Sequence, residues 1–585
     1  MKKIIFSFIF LSVLVSCKKK EEVIKAENLD LKFEKYKESF ITNLWDVYPD
    51  WAANQGYHKG DSILVVPDSA YAKRQLDFAH IQLDSLRAYP LEKLSDNNKT
   101  DLHLIQNQLQ NTIFRIDKLK SDEWNPSEYN VCGSFAEILN GKYDSLEARL
   151  HSFNIKMNNI PAYYEAAKKK IKNPTLEHTS LAIAQNLGGV SVFEKELIAA
   201  LSKSKLSVTE KDEIKSKAKL AVAAVKEYAD WLKELENTTP RSFRLGADLY
   251  AKKFDLDIQS SYEVDSIYKK AVHHKKELHQ KMFVIADRLW EKYNKKEVKP
   301  LDSLTLIKLV IDKISVQHTT PAKFQSEIEK QIPELVAYVK EKDLLYIDPS
   351  KPLVVRKEPS YMAGVAGASI SAPGPYDKNA NTYYNVGSMS GWSPEKSESY
   401  LREYNDYILQ ILNIHEAIPG HYTQLVYSNQ SPSIIKAILG NGAMIEGWAV
   451  YTELMMLESG YKNSDEMWLM YYKWNLRTTC NMILDYSVHT KNMSQEDAMH
   501  LLINEAFQQL AEAEGKWNRV TLSQVQLSSY FTGYTEIYDF REKLKKEQGA
   551  QFNLKQFHEK FLSYGSAPVK YIKGLMLQEV KNKNK

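Results

Sequence analysis

Cysteine is scarce in this chain. Only three of the 585 residues are cysteines, Cys17, Cys132 and Cys480. They do not show the paired spacing of a cysteine-based zinc site, which excludes that class of metal centre. If Cys17 is modified, only Cys132 and Cys480 remain. They could form a disulfide in an oxidising compartment or could be two buried thiols, and the sequence leaves both alternatives open.

An excess of either charge is also missing. Lysine and arginine number 78 against 74 aspartate and glutamate residues, which gives a formal net charge of +4. Such a balance argues against a nucleic-acid partner. The sequence also lacks a glycine-rich phosphate loop and the Gly-x-Ser-x-Gly motif of serine hydrolases, which argues against both of those chemistries.

Long linkers are absent as well. No stretch rich in glycine, serine or proline follows residue 30, and the sequence shows no internal repeat. Hydrophobic residues make up 43% of the chain, which is enough for a large packed core. We therefore predict one large body with two lobes rather than a string of separate domains.

The amino terminus carries an apolar run, Ile4–Val15, which is too short to span a bilayer as a mature helix. The Leu-Val-Ser-Cys that ends at Cys17 resembles a bacterial lipobox. This resemblance implies that residues 1–16 are a signal peptide and that Cys17 is lipidated; the alternative is an ordinary signal peptide with a coincidental cysteine. The charged residues 17–30 would then tether the protein, by its lipid alone, to the envelope of a Gram-negative bacterium, on either face of the outer membrane.

Helical periodicity dominates the rest of the chain, so we predict a mainly α fold. The capping box at 207–210 begins one helix, predicted over 208–237. Further amphipathic helices are predicted over 146–170 with a break at Pro161, over 261–293, and over 494–513. His273, His274 and His279 lie among lysines of the 261–293 helix, and we interpret them as part of an exposed basic face rather than as a metal site.

Strand patterns are confined to one region. Residues 367–371 and 381–386 are short, rich in β-branched or aromatic residues, and separated by turn-forming sequence. They predict a small sheet just before the motif described next. One edge of this sheet could hold an extended peptide by main-chain hydrogen bonds, or the two strands could be a plain surface hairpin.

The most informative motif is His415-Glu416-Ala417-Ile418-Pro419-Gly420-His421, followed by Glu446. Zinc binds neutral histidine nitrogens and carboxylate oxygens, and three protein ligands leave a fourth position for water. We therefore predict a Zn²⁺ site formed by His415, His421 and Glu446, with Glu416 as the general base beside it. Glu453, on the same helix face as Glu446, could replace it as third ligand or could orient a ligand imidazole from behind.

The spacing of the two histidines is unusual. They are six residues apart, which places them about 120° apart on an ideal helix. One regular helix would not direct both rings at the same ion. Pro419 cannot donate to the helical ladder, and Gly420 tolerates unusual backbone angles. We therefore predict a helix that is kinked or bulged at these two residues, so that His421 swings back towards His415.

These motifs resemble those of the bacterial DUF885 family of predicted metallopeptidases. The resemblance rests on His415–His421 and on Glu446–Glu453, and it extends from about Gly246 to the end of the chain. It implies a fold similar to that of gluzincin peptidases, in which two helical lobes close over a deep channel that admits short peptides. On this basis residues 31–245 are expected to be a helical N-terminal lobe and residues 246–585 the catalytic region.

The resemblance also suggests roles for other residues. Tyr530 is the first candidate for stabilising the developing oxyanion and Tyr534 the second, although either could be a packing aromatic. Arg541 could clamp a substrate carboxylate or form an ion pair within the fold. Asp485 and His489 could support the site from behind or be a plain pair on a helix surface.

Two positions depart from the family pattern. Tyr422 stands where the family usually has a second histidine after the motif, and Ala372 stands where it usually has an arginine before Pro-Gly. The missing arginine would remove one fixed positive charge and alter substrate preference, whereas neither change affects the presumed ligands.

The hypothesis from sequence is therefore a zinc-dependent hydrolase of short peptides. One alternative is a catalytically silent lipoprotein that binds peptides for uptake. Another is hydrolysis of a non-peptide amide at the same zinc.

Overall fold

A computed structural model describes residues 28–351, 353–358, 368–377 and 381–583. The predicted signal peptide and lipidation site, Cys17, lie outside the described residues. The predicted tether is slightly too long at its end, because the first helix begins at Leu29, where the side chain of Asn28 accepts a hydrogen bond from the backbone N–H of Asp30. None of the helices in the described ranges combines the length and the apolar character needed to cross a bilayer.

The prediction of a mainly α fold is confirmed. The N-terminal half contains α1 (Leu29–Val47), α2 (Pro49–Asn54), α3 (Ser69–Leu86), α4 (Asp96–Phe114), α5 (Ser121–Trp124), α6 (Cys132–Asn140), α7 (Leu146–Met157), α8 (Ile160–Lys170), α9 (Leu176–Gly189), α10 (Leu197–Lys203) and α11 (Val208–Glu234). Short 3-10 or π turns lie at His58–Gly60, Leu91–Lys93, Arg115–Leu119, Pro126–Glu128 and Val192–Glu196.

The C-terminal half is also helical apart from one small sheet. It contains α12 (Ala247–Ile258), α13 (Val264–Asn294), α14 (Ser303–Ile314), α15 (Phe324–Glu341), α16 (Pro394–Glu403), α17 (Asp406–Glu416), α18 (His421–Gln430), α19 (Ile434–Ile438), α20 (Gly442–Glu458), α21 (Asp465–Thr490), α22 (Gln495–His500), α23 (Leu510–Leu522), α24 (Ser528–Gln548), α25 (Leu554–Ser563) and α26 (Val569–Lys583). A π turn at Leu501–Glu505 and a 3-10 turn at Gly549–Gln551 complete the set.

Most of the helix predictions are confirmed. The capping box of Ser207 and Glu210 is present at the start of α11, and Pro161 lies in the first turn of α8, after the predicted break. The prediction of one helix over 494–513 is wrong. There, α22 runs into a π turn and the chain then leaves the helix, because Phe507 takes φ 55°, a left-handed conformation that no α-helix accommodates.

The interpretation of the three histidines of α13 also needs correction. His273 is exposed, as expected. His274, however, is half-buried and its Nε2 lies 2.9 Å from Asn475 Oδ1, while His279 Nε2 lies 2.7 Å from the backbone oxygen of Glu505. Two of the three rings therefore fasten α13 to its neighbours instead of forming a basic surface.

The two halves of the sequence share their hydrophobic cores. Ile435 and Ile438 of α19 pack into the core formed mainly by α1, α3 and α4, whereas Phe114 and Trp124 from the N-terminal half pack into the large C-terminal core. Each half therefore completes a core of the other. The cysteines belong to different cores and both are free, so Cys132 and Cys480 are two buried thiols and not a disulfide.

The small sheet has three strands in the order β1-β3-β2, with β1 (Leu353–Lys357) parallel and β2 (Ala368–Ser371) antiparallel to the central β3 (Thr382–Val386). The sequence predicted β2 and β3 but missed β1. Tyr384 of β3 donates a hydrogen bond from its hydroxyl to Asn413 Oδ1 of α17, over 2.8 Å. The sheet therefore lies beside the helix that ends in His415 and Glu416, as predicted.

Candidate metal centre

The helix that carries His415 ends inside the motif that joins His415 to His421. α17 stops at Glu416 and α18 begins at His421, with a cis peptide bond between Ile418 and Pro419. The N–H of Gly420 donates to the Ile414 oxygen over 3.0 Å, and a Cβ at Gly420 would lie only 1.9 Å from the His415 oxygen. The predicted distortion is confirmed, and it takes the form of a complete break between two helices.

The break brings three predicted ligands together. The ligand atoms of His415, His421 and Glu446 all lie within 4.8 Å of one another. Glu446 Oε2 is 3.3 Å from His421 Nε2 and 3.8 Å from His415 Nε2. The two imidazole rings are nearly perpendicular, with centroids 4.7 Å apart. Both rings thus direct their Nε2 atoms towards the same carboxylate.

Glu453 lies behind this group rather than in it. Its side chain is fully buried, and its Oε1 is 2.7 Å from His415 Nδ1, the ring nitrogen that faces away from the other two ligands. The indole N–H of Trp474 donates to the same oxygen over 2.9 Å. Of the two alternatives left open by the sequence, this position matches a group that orients a ligand imidazole.

Burial and neighbouring charges oppose each other at this centre. Burial alone would raise the pKa of Glu446, but the two imidazoles hold that pKa well below its ordinary value. Burial would lower the pKa of His415, yet Glu446 and Glu453 outweigh it and raise the pKa of His415 to about 10. The centre therefore stabilises a buried carboxylate beside a positive charge.

Glu416 is close to the cluster without being part of it. It is largely buried, and that burial raises its pKa, while the positive charges of His421 and His415 pull its pKa down. A carboxyl group with a raised pKa next to a ligand is a suitable proton acceptor and donor.

Tyr530 reaches the same place from α24. Its ring lies almost parallel to that of His415, with centroids 6.5 Å apart, and its side chain is partly exposed. Arg519 Nη2 donates to the Tyr530 hydroxyl oxygen over 3.0 Å. Sequence reasoning missed Arg519, and its only signal was that it shares one face of α23 with Glu512 and Lys516.

A close crossing of two helices places Tyr530 there. A Cβ at Gly533 of α24 would lie 1.7 Å from the Ala443 oxygen of α20, and a Cβ at Gly447 would lie 2.3 Å from the Gly533 backbone. Only glycines permit this approach of α24, which carries Tyr530, to α20, which carries Glu446.

The start of α24 is held by Asp485. Its carboxylate accepts hydrogen bonds from the backbone N–H groups of Val525, over 3.2 Å, and Ser528, over 3.1 Å. His489 is buried beside it, with Nε2 3.0 Å from the Val520 oxygen. The alternative of a helix-surface pair is therefore wrong, because both residues brace the chain that leads into Tyr530.

Two predicted residues lie elsewhere. Tyr534 is one turn beyond Tyr530 and, together with Tyr471 and Tyr538, lines a separate cavity of about 820 Å³. Arg541 is held in an ion pair with Glu458, with Nη1 2.7 Å from Oε2. The structure thus matches the ion-pair alternative for Arg541 and gives Tyr534 no contact with the candidate ligands.

Comparison with known proteins identifies the family of this chain. The family model described as bacterial protein of unknown function (DUF885) matches residues 49–576. This chain belongs to the DUF885 family. The match begins far before Gly246, so the expectation that only the C-terminal part resembles the family is wrong. None of the curated proteins matches the chain.

Two solved structures are similar to the chain. One, a candidate lipoprotein of unknown function from Shewanella oneidensis, is 52% identical, with a TM-score of 0.84 over 93% of this chain and 99% of that one. The other, a candidate lipoprotein from Colwellia psychrerythraea, is 15% identical, with a TM-score of 0.76 over 95% of this chain and 100% of that one. The second shares the fold, and the first is similar over nearly the whole length of both chains.

Proposed function

We propose that this protein is a zinc-dependent hydrolase that cleaves peptide bonds in short peptides. The observation that carries the proposal is the convergence of His415, His421 and Glu446 within 4.8 Å, with Glu453 behind the first imidazole and Glu416 beside it. Two imidazoles and one carboxylate are a donor set of catalytic zinc sites, and a carboxylate behind a ligand imidazole is common in them.

The donor atoms themselves fit a cation. Glu446 Oε2 is buried and makes no hydrogen bond within the described part of the chain, although it points between the two imidazoles. A carboxylate oxygen that faces two imidazole nitrogens and accepts no hydrogen bond from either fits a position in which a cation lies between the three groups. His415, His421 and Glu446 would hold the zinc ion.

When bound, zinc would polarise the scissile carbonyl and lower the pKa of a coordinated water to about 7. Glu416 would accept the proton of the attacking water and then deliver a proton to the leaving amine. Its burial raises its pKa, which favours the return of the proton. No covalent intermediate is needed.

Tyr530 would stabilise the oxyanion that forms on the carbonyl oxygen. Burial raises the pKa of Tyr530 to about 12, so the phenol keeps its proton at neutral pH. Arg519 already donates to the phenol oxygen, which leaves the O–H of Tyr530 free to donate.

The envelope provides the setting of the proposal. The lipobox-like sequence before Cys17 and the similarity to a candidate lipoprotein support anchoring by a lipid at Cys17. Substrates would then be short peptides that reach the envelope.

Digestion of a diverse peptide library, with and without a chelator, tests the proposal. We expect cleavage products by mass spectrometry, their loss on chelation, their return with added zinc, and about one bound zinc per chain by elemental analysis. Intact peptides that nevertheless bind to the zinc-loaded protein would instead establish the silent binding lipoprotein. Cleavage confined to non-peptide amides would establish the other alternative.

A further inference from the structure

One face of α23 carries positive charge that its surroundings do not balance. Glu512, Lys516 and Arg519 follow each other at helical spacing, so their side chains share a face. The carboxylate of Glu512 is already paired with Arg477, which donates to Oε1 from Nε, over 2.8 Å, and from Nη2, over 2.6 Å. Little of its negative charge remains for Lys516 and Arg519.

Lys516 is buried, and the carboxylate paired with its ammonium, that of Glu512, lies at the limit of an ion pair. Its side chain is 3% exposed, and its ammonium lies 3.9 Å from Glu512 Oε1, beyond hydrogen-bonding distance. Within the described residues this ammonium makes no hydrogen bond. Burial, reinforced by Arg477, lowers the pKa of Lys516 well below its ordinary value. Keeping this amine charged without a hydrogen-bonded anion is costly, and an arriving carboxylate would lower that cost.

Buried lysine is not intrinsically unpaired in this region. Lys473 is equally buried, yet its ammonium is 2.7 Å from Glu403 Oε1, and the other Glu403 oxygen accepts the N–H of Gln509. Lys473 therefore has a hydrogen-bonded carboxylate, whereas Lys516 has only the longer ion pair with Glu512, at 3.9 Å.

Arg519 links this charge to the candidate metal centre. Its Nη2 donates to Gln526 Oε1 and to the hydroxyl of Tyr530, whose ring lies beside His415. Within the described ranges, Nε and Nη1 of Arg519 make no hydrogen bond. Arg519 and Tyr530 are both partly exposed, so these donors are open to solvent beside the ring of His415.

We propose that Lys516 and Arg519 form a carboxylate-binding subsite beside the metal centre, and that the substrate presents a free carboxylate to it. This inference rests on the proposed function and narrows its substrate class. An ammonium and the free nitrogens of a guanidinium are the donors that a carboxylate pairs with most strongly. The carboxylate could be the C-terminus of a peptide or an acidic side chain, and both offer the same chemistry.

Calorimetric binding to the zinc-loaded Glu416→Gln protein tests the inference without turnover. The probes are acetyl-Ala-Ala-Ala with a free carboxylate, its C-terminal amide, and the amide of acetyl-Ala-Ala-Asp. We expect the free carboxylate to bind roughly 10- to 100-fold more tightly than the plain amide, as for hydrogen bonds between charged groups. Tight binding of the Asp amide would identify an acidic side chain as the source, and weak binding of it would identify the C-terminus.

The same titrations with an added Lys516→Met substitution should weaken the preference for a carboxylate, because only Arg519 then remains as a charged donor. The melting temperature should not fall, because an unpaired buried charge is removed. The matched Lys473→Met variant should lower the melting temperature and keep the preference.

Equal binding of the free carboxylate and the plain amide to the protein with Lys516 intact would overturn the inference. So would an unchanged preference in the Lys516→Met protein, or binding of none of the three probes. If the protein binds the free carboxylate more tightly than the amide, but the protein that retains Glu416 cleaves no peptide, the proposed function is wrong and the subsite is supported.

Discussion

Two carboxylates of this protein, Asp101 and Glu446, differ in how completely their oxygens are paired. Asp101 of α4 is fully buried and accepts from Lys37 over 2.7 Å, from Lys436 over 2.5 Å and from Ser433 over 2.8 Å. Glu446 is set between two imidazoles, and its Oε2 has no hydrogen bond within the described chain. The first group is closed and holds the fold together, whereas the second leaves room for a cation.

The ion pairs of Asp101 also support the candidate metal centre. Lys436 lies on α19, between α18, which begins with His421, and α20, which carries Glu446. Its bonds to Asp101 fasten this connection to the N-terminal helices. The N-terminal half is therefore part of the support of the metal centre, which is consistent with a family match that begins at residue 49.

The largest expected effect is on peptide turnover at the candidate metal centre. Glu416→Gln should reduce peptide turnover by about 10²- to 10⁴-fold, because it removes the general base. Zinc content and melting temperature should stay the same, since Glu416 lies outside the ligand set. Steady-state kinetics and elemental analysis check this, with Glu458→Gln as the matched control on turnover. Retained turnover in Glu416→Gln would show that another group takes the proton.

A substitution at Asp101 should lower the stability of the protein. Asp101→Asn leaves Lys436 buried without an anion and leaves Lys37 with Glu34 as its remaining carboxylate, and we expect the free energy of unfolding to fall by about 3–5 kcal/mol. Denaturant titration measures it. Asp77→Asn, which removes the partner of Lys73 in an exposed pair, should cost less than about 1 kcal/mol. Equal losses from the two substitutions would refute the structural role of Asp101.

Tyr530→Phe sharpens the contrast within a single helix. We expect a loss of about 10²-fold in kcat with little change in KM, as for removal of one oxyanion donor. Tyr534→Phe, one turn further along α24, should leave kcat unchanged. The assignment of roles to the two tyrosines would have to be reversed if Tyr534→Phe were the slower enzyme.

Glu453 stands between the two kinds of group, since it is buried like Asp101 but serves His415. Glu453→Gln should weaken zinc binding by about 10- to 100-fold, as for other groups that orient a ligand. Competition with a chelating dye measures the affinity, and Glu458→Gln, on the outer part of the same helix, is the control. An unaltered affinity would mean that Glu453 serves packing alone.

Local sequence predicted more of the centre than of its surroundings. The six-residue spacing of His415 and His421, with Pro419 and Gly420 between them, was enough to predict the helix break, because the geometry of an α-helix fixes where each side chain points. The strand β1 and the role of Arg519 were missed, since a short apolar run and a lone arginine carry no distinctive pattern.

The residues that brace the centre depend on contacts that are distant in sequence. Asp485 meets Val525 and Ser528 some 40 residues later, and Trp474 meets Glu453 across two helices. No periodicity encodes such contacts. They follow from the packing of α21 against α20 and against the start of α24.

By itself, the sequence determined the helical class, the candidate ligands His415, His421 and Glu446, and the break between the two histidines. These follow from periodicity, ligand chemistry and backbone sterics, which act over a few residues. Only the tertiary structure decided that Glu453 stands behind His415, that Arg541 is bound by Glu458, and that Glu512 is hydrogen-bonded to Arg477 rather than to Lys516. Those outcomes depend on which helices meet, and burial then makes each satisfied or unsatisfied charge count.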